Sequence, residues 1–112
     1  MPFNRVYIDN EPTRAEVDAM PGPLVIEFGT AWCGHCQAAE PALRAALARH
    51  PAVDHLRIED GAGRALGRSF KVKLWPTFVF LTKGGEVARL VRPTEQEPID
   101  DALALLAPED NP

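Results

Sequence analysis

The 112-residue chain is long enough for one compact domain and too short for two with separate cores. Aliphatic, aromatic and cysteine residues make up 46% and charged residues 25%, the balance of a soluble globular protein rather than of a disordered or membrane-spanning one. Its 12 Lys and Arg against 16 Asp and Glu give a formal charge of −4 with no basic run, which argues against nucleic acid as a partner.

The N-terminus, "MPFNRVYIDNEP", has no cationic segment followed by an apolar stretch, and no window elsewhere reaches bilayer-spanning length. As it stands the sequence reads as cytoplasmic, or periplasmic had a signal been trimmed, with no membrane partner. "RVYI", 5–8, is a short candidate strand, and Thr13 and Glu16 have capping-box spacing for a short helix that "PGP" at 21–23 ends. "LVIEF", 24–28, is apolar but for Glu27, the pattern of a strand buried on both faces of a central, partly parallel sheet. From Gln37 to Arg49, the residues Ala39, Ala42, Leu43, Ala46 and Leu47 recur at helical spacing, with Glu40 and Arg44 one turn apart on the opposite face. Pro41 falls inside this helix and predicts a kink.

"VDHLRIE" alternates, with Leu56 and Ile58 on one face of a further strand, and "GAGRALGRSFKV" predicts a short or irregular helix. "TFVFL", 77–81, is a second continuous apolar run, which "KGGE" turns into "EVARLV" as a hairpin. Thr94 and Glu97 repeat the capping-box spacing before Ile99, Ala102, Leu103 and Leu106, the stripe of a closing helix, and the tail "APEDNP" should fray. Without repeats or linkers, residues 1–112 read as a single domain in the order βαβαβαββα. That order predicts an α/β fold, a central mixed sheet of four to five strands with helices on both faces.

The chain's two cysteines, Cys33 and Cys36, close almost no loop between them, so a bridge there would add little stability and its purpose is chemical. Cys33 falls about where a helix begins, so unpaired N–H groups and the positive end of the helix dipole point at its sulfur and favour thiolate. Cys36, one turn deeper, is placed to resolve a mixed disulfide. Gly34 leaves room for a substrate to approach the first sulfur, and His35 either stabilises the thiolate, making the disulfide more oxidising, or is an exposed loop residue. A zinc site would need four ligands, and His50 and His55 are not at ligand spacing. Two inert buried cysteines are the other alternative, which the flanking Trp32, Gly34 and His35 do not suit.

Three separated features fall in an order that resembles the thioredoxin family over nearly the whole chain: "WCGHC" after an apolar strand, Pro41 beyond the second cysteine, and "WPT" before a strand ending in "KGGE". The "CGHC" variant resembles that of protein disulfide isomerase domains. The resemblance implies a thioredoxin fold and a monomeric thiol–disulfide oxidoreductase acting on protein disulfides or dithiols, with no bound cofactor or metal. As a reductase it would take electrons from a thioredoxin reductase-like donor. Cys33 matches the attacking cysteine, Cys36 the resolving one, and Trp32 the tryptophan flanking the site. Pro76 matches a proline with a cis peptide bond opposite the cysteines, and Trp75 the preceding residue whose backbone pairs with an extended substrate; an ordinary trans proline opening a strand is the alternative.

Glu27 matches the family's buried acid, whose pKa burial should raise so that it relays a proton to or from Cys36; a strand-edge carboxylate reaching solvent is the alternative. His55 and Arg57 both suit the place of the family's lysine near that acid. Two departures stand out: Gly29 where the family commonly has Trp, and Arg92 with Pro93 where a glycine usually leaves room for the substrate. A cation at Arg92 beside the groove, with Trp75 in it, implies a different substrate from that of the general reductase, or a thioredoxin-like binding module or redox sensor without general turnover.

Overall fold

The computed structural model describes residues 6–106, so the first residue of "RVYI" and the "APEDNP" tail lie outside the described residues. Four strands form one sheet in the order β2-β1-β3-β4, where β1 is Pro23–Gly29, β2 Asp54–Glu59, β3 Thr77–Thr82 and β4 Gly85–Val91. β1 pairs parallel with β2 and antiparallel with β3, and β3 pairs antiparallel with β4, which makes the mixed sheet that the element order predicts. The turn between β3 and β4 is the "KGGE" hairpin, with Lys83 and Gly84 at φ 52° and 78°, the double left-handed conformation of a tight two-residue loop.

Among the described residues four helices complete the fold: α1 Arg14–Asp18, α2 Gly34–Ala48, α3 Ala65–Ser69 and α4 Gln96–Ala104. The alternation of β1 divides the apolar side chains between two layers. Val25 joins Phe78 and Phe80 under Leu43, Leu47, Ile99 and Leu103, the inward stripes of α2 and α4. Leu24, Ile26 and Phe28 face the other way, against Val17, Ile58, Leu66 and Phe70. Both faces of β1 are therefore covered, as a strand apolar but for Glu27 requires. At roughly 25 cal/mol per Å² of apolar area removed from water, these two layers supply the main drive to fold.

Two local features differ from the sequence reading. "RVYI" forms no strand among the described residues; Ile8 alone makes a parallel bridge to Ile58, its amide donating to Arg57 O at 2.7 Å. Its neighbour Tyr7 is turned inward by a polar partner described below. Pro41 lies inside α2, which continues across it to Ala48. The Thr94–Glu97 box does not form: α4 starts one residue later, with Glu95 as N-cap and no side-chain cap. Pro98 accounts for this shift. A start at Thr94 would put Pro98 fourth in the helix, where its missing N–H is needed, whereas the observed start puts it third, within the turn whose N–H groups lack partners anyway. The equivalent box on α1 does form, Thr13 Oγ1 accepting from Glu16 N at 3.0 Å and Glu16 Oε1 from Thr13 N at 2.9 Å.

The register gathers one end of the sheet. Phe28 lies opposite Thr77, Gly29 opposite Glu59, and Thr77 opposite Val91. The segment after β1, the residue after β2, the residues before β3 and those after β4 thus converge at that end: the cysteine loop, Asp60, Trp75–Pro76 and Arg92.

Candidate active site

Cys33 is the N-cap of α2, in extended backbone conformation, and its sulfur accepts from the Cys36 amide at 3.2 Å. An otherwise orphaned donor of the first helical turn is thereby aimed at that sulfur. Cys36 stands one turn on. Cys33 keeps 8% of its surface and Cys36 1%, so both are largely buried and the opening to solvent belongs to Cys33. Both thiols are free. Burial pushes the Cys36 thiol up to about 12, helped by its hydrogen bond to Cys33 and opposed by one from the Thr30 backbone.

Around this pair the structure brings together the other residues that the sequence singles out. Trp32 is 73% exposed and meets Trp75 edge to face, with ring centroids 5.7 Å apart and planes at 75°. That contact ties the cysteine loop to the segment before β3. The Trp75 indole N–H donates to Asp60 Oδ2 at 2.9 Å, and the Asp60 amide donates to Gly29 O at 3.0 Å, so Trp75 is oriented from the end of β2. The Trp75–Pro76 peptide is cis, as the resemblance implies. Gly34 and His35 are exposed on the first turn of α2.

Arg92, at φ 54°, takes a left-handed conformation that glycine would adopt more readily. Its amide donates to Pro76 O at 2.9 Å and its Nε–H to Trp75 O at 2.8 Å. The cation anticipated beside the groove therefore lies on the backbone carbonyl of the residue before the cis proline.

Beneath Cys36 lies a buried polar cluster. Glu27 is fully buried, which removes the alternative of a solvent-reaching carboxylate. Arg57, directly opposite on β2, donates Nε–H to Oε1 at 3.0 Å and Nη2–H to Oε2 at 3.1 Å, and His55 Nε2 lies 3.1 Å from Oε1. Both candidates for the lysine's place thus reach the acid. The Tyr7 hydroxyl donates to Oε2 at 2.9 Å and accepts from Arg57 Nη2 at 3.0 Å, and Glu40 Oε1 lies 3.4 Å from the same nitrogen.

This surrounding overturns the raised pKa anticipated for Glu27. Burial does push the carboxyl up, but the His55 hydrogen bond and the charge and hydrogen bonds of Arg57 outweigh it and hold the group below its ordinary value. An acid kept ionised in this way holds no proton to donate to Cys36, and of the anticipated relay only acceptance of a proton from Cys36 remains open to it.

The glycine at position 29 also has a reason here. A β-carbon built on Gly29 would collide with the Cys36 sulfur and stand 3.4 Å from the Tyr7 hydroxyl oxygen, so the sulfur and the phenol occupy the space that any larger residue would need. Tyr7, Asp60 and Thr30 are the site residues that the sequence reading missed. Tyr7 is the chain's only tyrosine, and nothing in its own segment marks it; only the lone acid in "LVIEF", a buried charge needing partners, signalled that some polar group must reach in.

A scan against family models matches the Thioredoxin model over residues 5–104. Thioredoxin H2 of Arabidopsis thaliana is 31% identical over 74 residues, covering 66% of this chain and 56% of that protein. Thioredoxin H2-2 of Oryza sativa subsp. japonica is 34% identical over 74 residues, covering 66% and 55%. The chain thus spans about half the length of the curated relatives it matches. Among solved structures, that of thioredoxin 2 from Pseudomonas aeruginosa PAO1 in its reduced form is 55% identical with a TM-score of 0.81, covering 89% of this chain and 93% of that one. With the sheet order, the cysteine pair capping α2 and a family match over most of its length, the chain belongs to the thioredoxin family.

Proposed function

We propose that the protein is a thiol–disulfide oxidoreductase in which Cys33 attacks and Cys36 resolves. The observation that carries this reading is the asymmetry of the two sulfurs: one caps a helix with a face open to solvent, and the other is sealed one turn behind it. As a thiolate, Cys33 attacks one sulfur of a substrate disulfide; the Cys33–substrate bond forms, the substrate's S–S bond breaks, and its other sulfur leaves with the electron pair. Cys36 then displaces the bound sulfur and closes the Cys33–Cys36 disulfide, leaving the substrate reduced and the protein oxidised.

The substrate lies in the groove formed by Trp32, Gly34, Trp75, Pro76 and Arg92. Trp32 and Trp75 offer it an aromatic wall, and Arg92 covers the Trp75 carbonyl with which an extended substrate would pair. Its partners are protein disulfides or dithiols, and a thioredoxin reductase-like donor returns it to the dithiol. His35, exposed beside the attacking sulfur as in the CGHC sites of disulfide isomerase domains, tunes the potential toward oxidation. The cytoplasm, with its reducing pool, fits a reductase of this kind.

Insulin reduction by dithiothreitol tests the reading. The wild type accelerates precipitation of the insulin B chain, and Cys33→Ser returns it to the uncatalysed rate; a wild type that gives no acceleration would instead mark a module that binds without turnover.

A further inference from the structure

Resting on that exchange reaction, we propose that Tyr7 is a further catalytic residue, its hydroxyl turning from Glu27 to the Cys36 sulfur to stabilise the thiolate that resolves the mixed disulfide. The geometry is already assembled. The phenol oxygen and the Cys36 sulfur crowd the same face of Gly29, and both residues line one cavity. In the dithiol state the hydroxyl donates to Glu27 Oε2.

Releasing that bond strands no acceptor, because Glu27 keeps both hydrogen bonds from Arg57 and its contact with His55. Arg57 Nη2 donates to the phenol oxygen, which polarises the O–H and makes it a stronger donor. The charged and titratable groups facing the phenol are Glu27 on β1, Arg57 on β2 and Cys36 on α2, with Glu40 and His55 held to the same cluster. Burial and the neighbouring Glu27 push the Tyr7 phenol upward, so it stays protonated and acts as a donor rather than a base.

The step balances without Tyr7 losing its proton. The Cys36 thiol gives its proton to solvent through a cavity of about 140 Å³ lined by Tyr7, Thr30, Cys36, Gln37, Glu40 and Arg57. Thr30 Oγ1, buried and without a hydrogen-bond partner among the described residues, gives that cavity a polar wall suited to water. The thiolate's electron pair then forms the bond to Cys33, the bond from Cys33 to the substrate sulfur breaks, and the substrate leaves as a thiolate that takes a proton from solvent. Both cysteines are oxidised and the substrate disulfide is reduced.

Stopped-flow reaction of the reduced protein with 5,5′-dithiobis(2-nitrobenzoate) separates the two steps. Attack by Cys33 releases one thionitrobenzoate, and resolution by Cys36 releases the second. Tyr7→Phe should leave the first phase unchanged, slow the second by about 3- to 15-fold, because less of Cys36 is thiolate although each thiolate is somewhat more nucleophilic, and move its pH profile to higher pH. An unchanged second phase, or one slowed at every pH with no shift of profile, overturns the role of Tyr7 while leaving the exchange reading standing. A wild type that releases no thionitrobenzoate overturns both. If Tyr7→Phe fails to fold, ¹³Cζ-tyrosine labelling gives one resonance from the chain's only tyrosine. In Cys33→Ser that resonance should move as Cys36 ionises, followed in parallel by its ultraviolet thiolate absorbance, and a resonance that stays fixed through that ionisation overturns the proposal.

Discussion

At the scale of single residues, Glu27 shows how a buried charge is decided by its neighbours. The carboxylate sits beside a fixed bidentate arginine, and removing one member of such a pair leaves the other buried and uncompensated, at a cost of about 3–5 kcal/mol. Because the folded state holds Glu27 below its ordinary 4.5, the folded protein binds that proton less readily than the unfolded chain does. Its contribution is therefore complete above about pH 4.5 and is lost as pH falls through the folded value. Urea midpoints of wild type and Glu27→Gln should accordingly lie furthest apart at pH 7 and converge on acidification toward pH 3. A gap that stays constant would mean that Glu27 is not charged in the folded state. The cysteines, Trp32 and Pro76 were legible because their spacing is itself the signal. The ionisation of Glu27 was not, because burial alone argues for a raised pKa, and the opposing term needs the strand register that sets Arg57 against it.

Among the secondary-structure elements, two sequences with the same capping spacing behave differently, and proline is the reason. Thr13 closes a complete reciprocal box on α1, whereas Glu95, the N-cap of α4, makes no side-chain cap bond, and Pro98 three residues on has no N–H to offer one. Thr13→Ala should thus lower stability by about 1 kcal/mol, the usual worth of an N-cap, while Thr94→Ala should lie within about 0.5 kcal/mol of wild type, as surface changes do. Chemical denaturation of the two variants side by side checks the contrast. Strands β1 and β3 are readable as apolar runs, β1 interrupted only by Glu27, and α2 from its inward stripe, since periodicity survives without tertiary context. "RVYI" was misread for the complementary reason. Its apolar residues fit a strand, but Tyr7 makes its contacts with Glu27 and Arg57, and among the described residues of the segment only Ile8 bridges to β2.

For the molecule as a whole, the site follows from topology, which the sequence left open beyond a mixed sheet. Placing β1 between β2 and β3 sets the cysteine loop, Asp60, the cis proline and Arg92 at one end of the sheet, although they span residues 33 to 92. The consequence falls on Arg92, whose side chain occupies the Trp75 carbonyl, the backbone group that an extended substrate would pair with. A protein substrate must displace that hydrogen bond, whereas a small disulfide need only reach Cys33. Arg92→Gly keeps a backbone that glycine adopts without strain at φ 54° and uncovers the carbonyl. It should raise kcat/KM for insulin by about 3- to 10-fold, the worth of one exposed hydrogen bond, and leave the rate with 5,5′-dithiobis(2-nitrobenzoate) unchanged. A fall with insulin would show instead that the guanidinium holds the substrate, and equal changes with both would place its effect on the sulfur rather than on the groove.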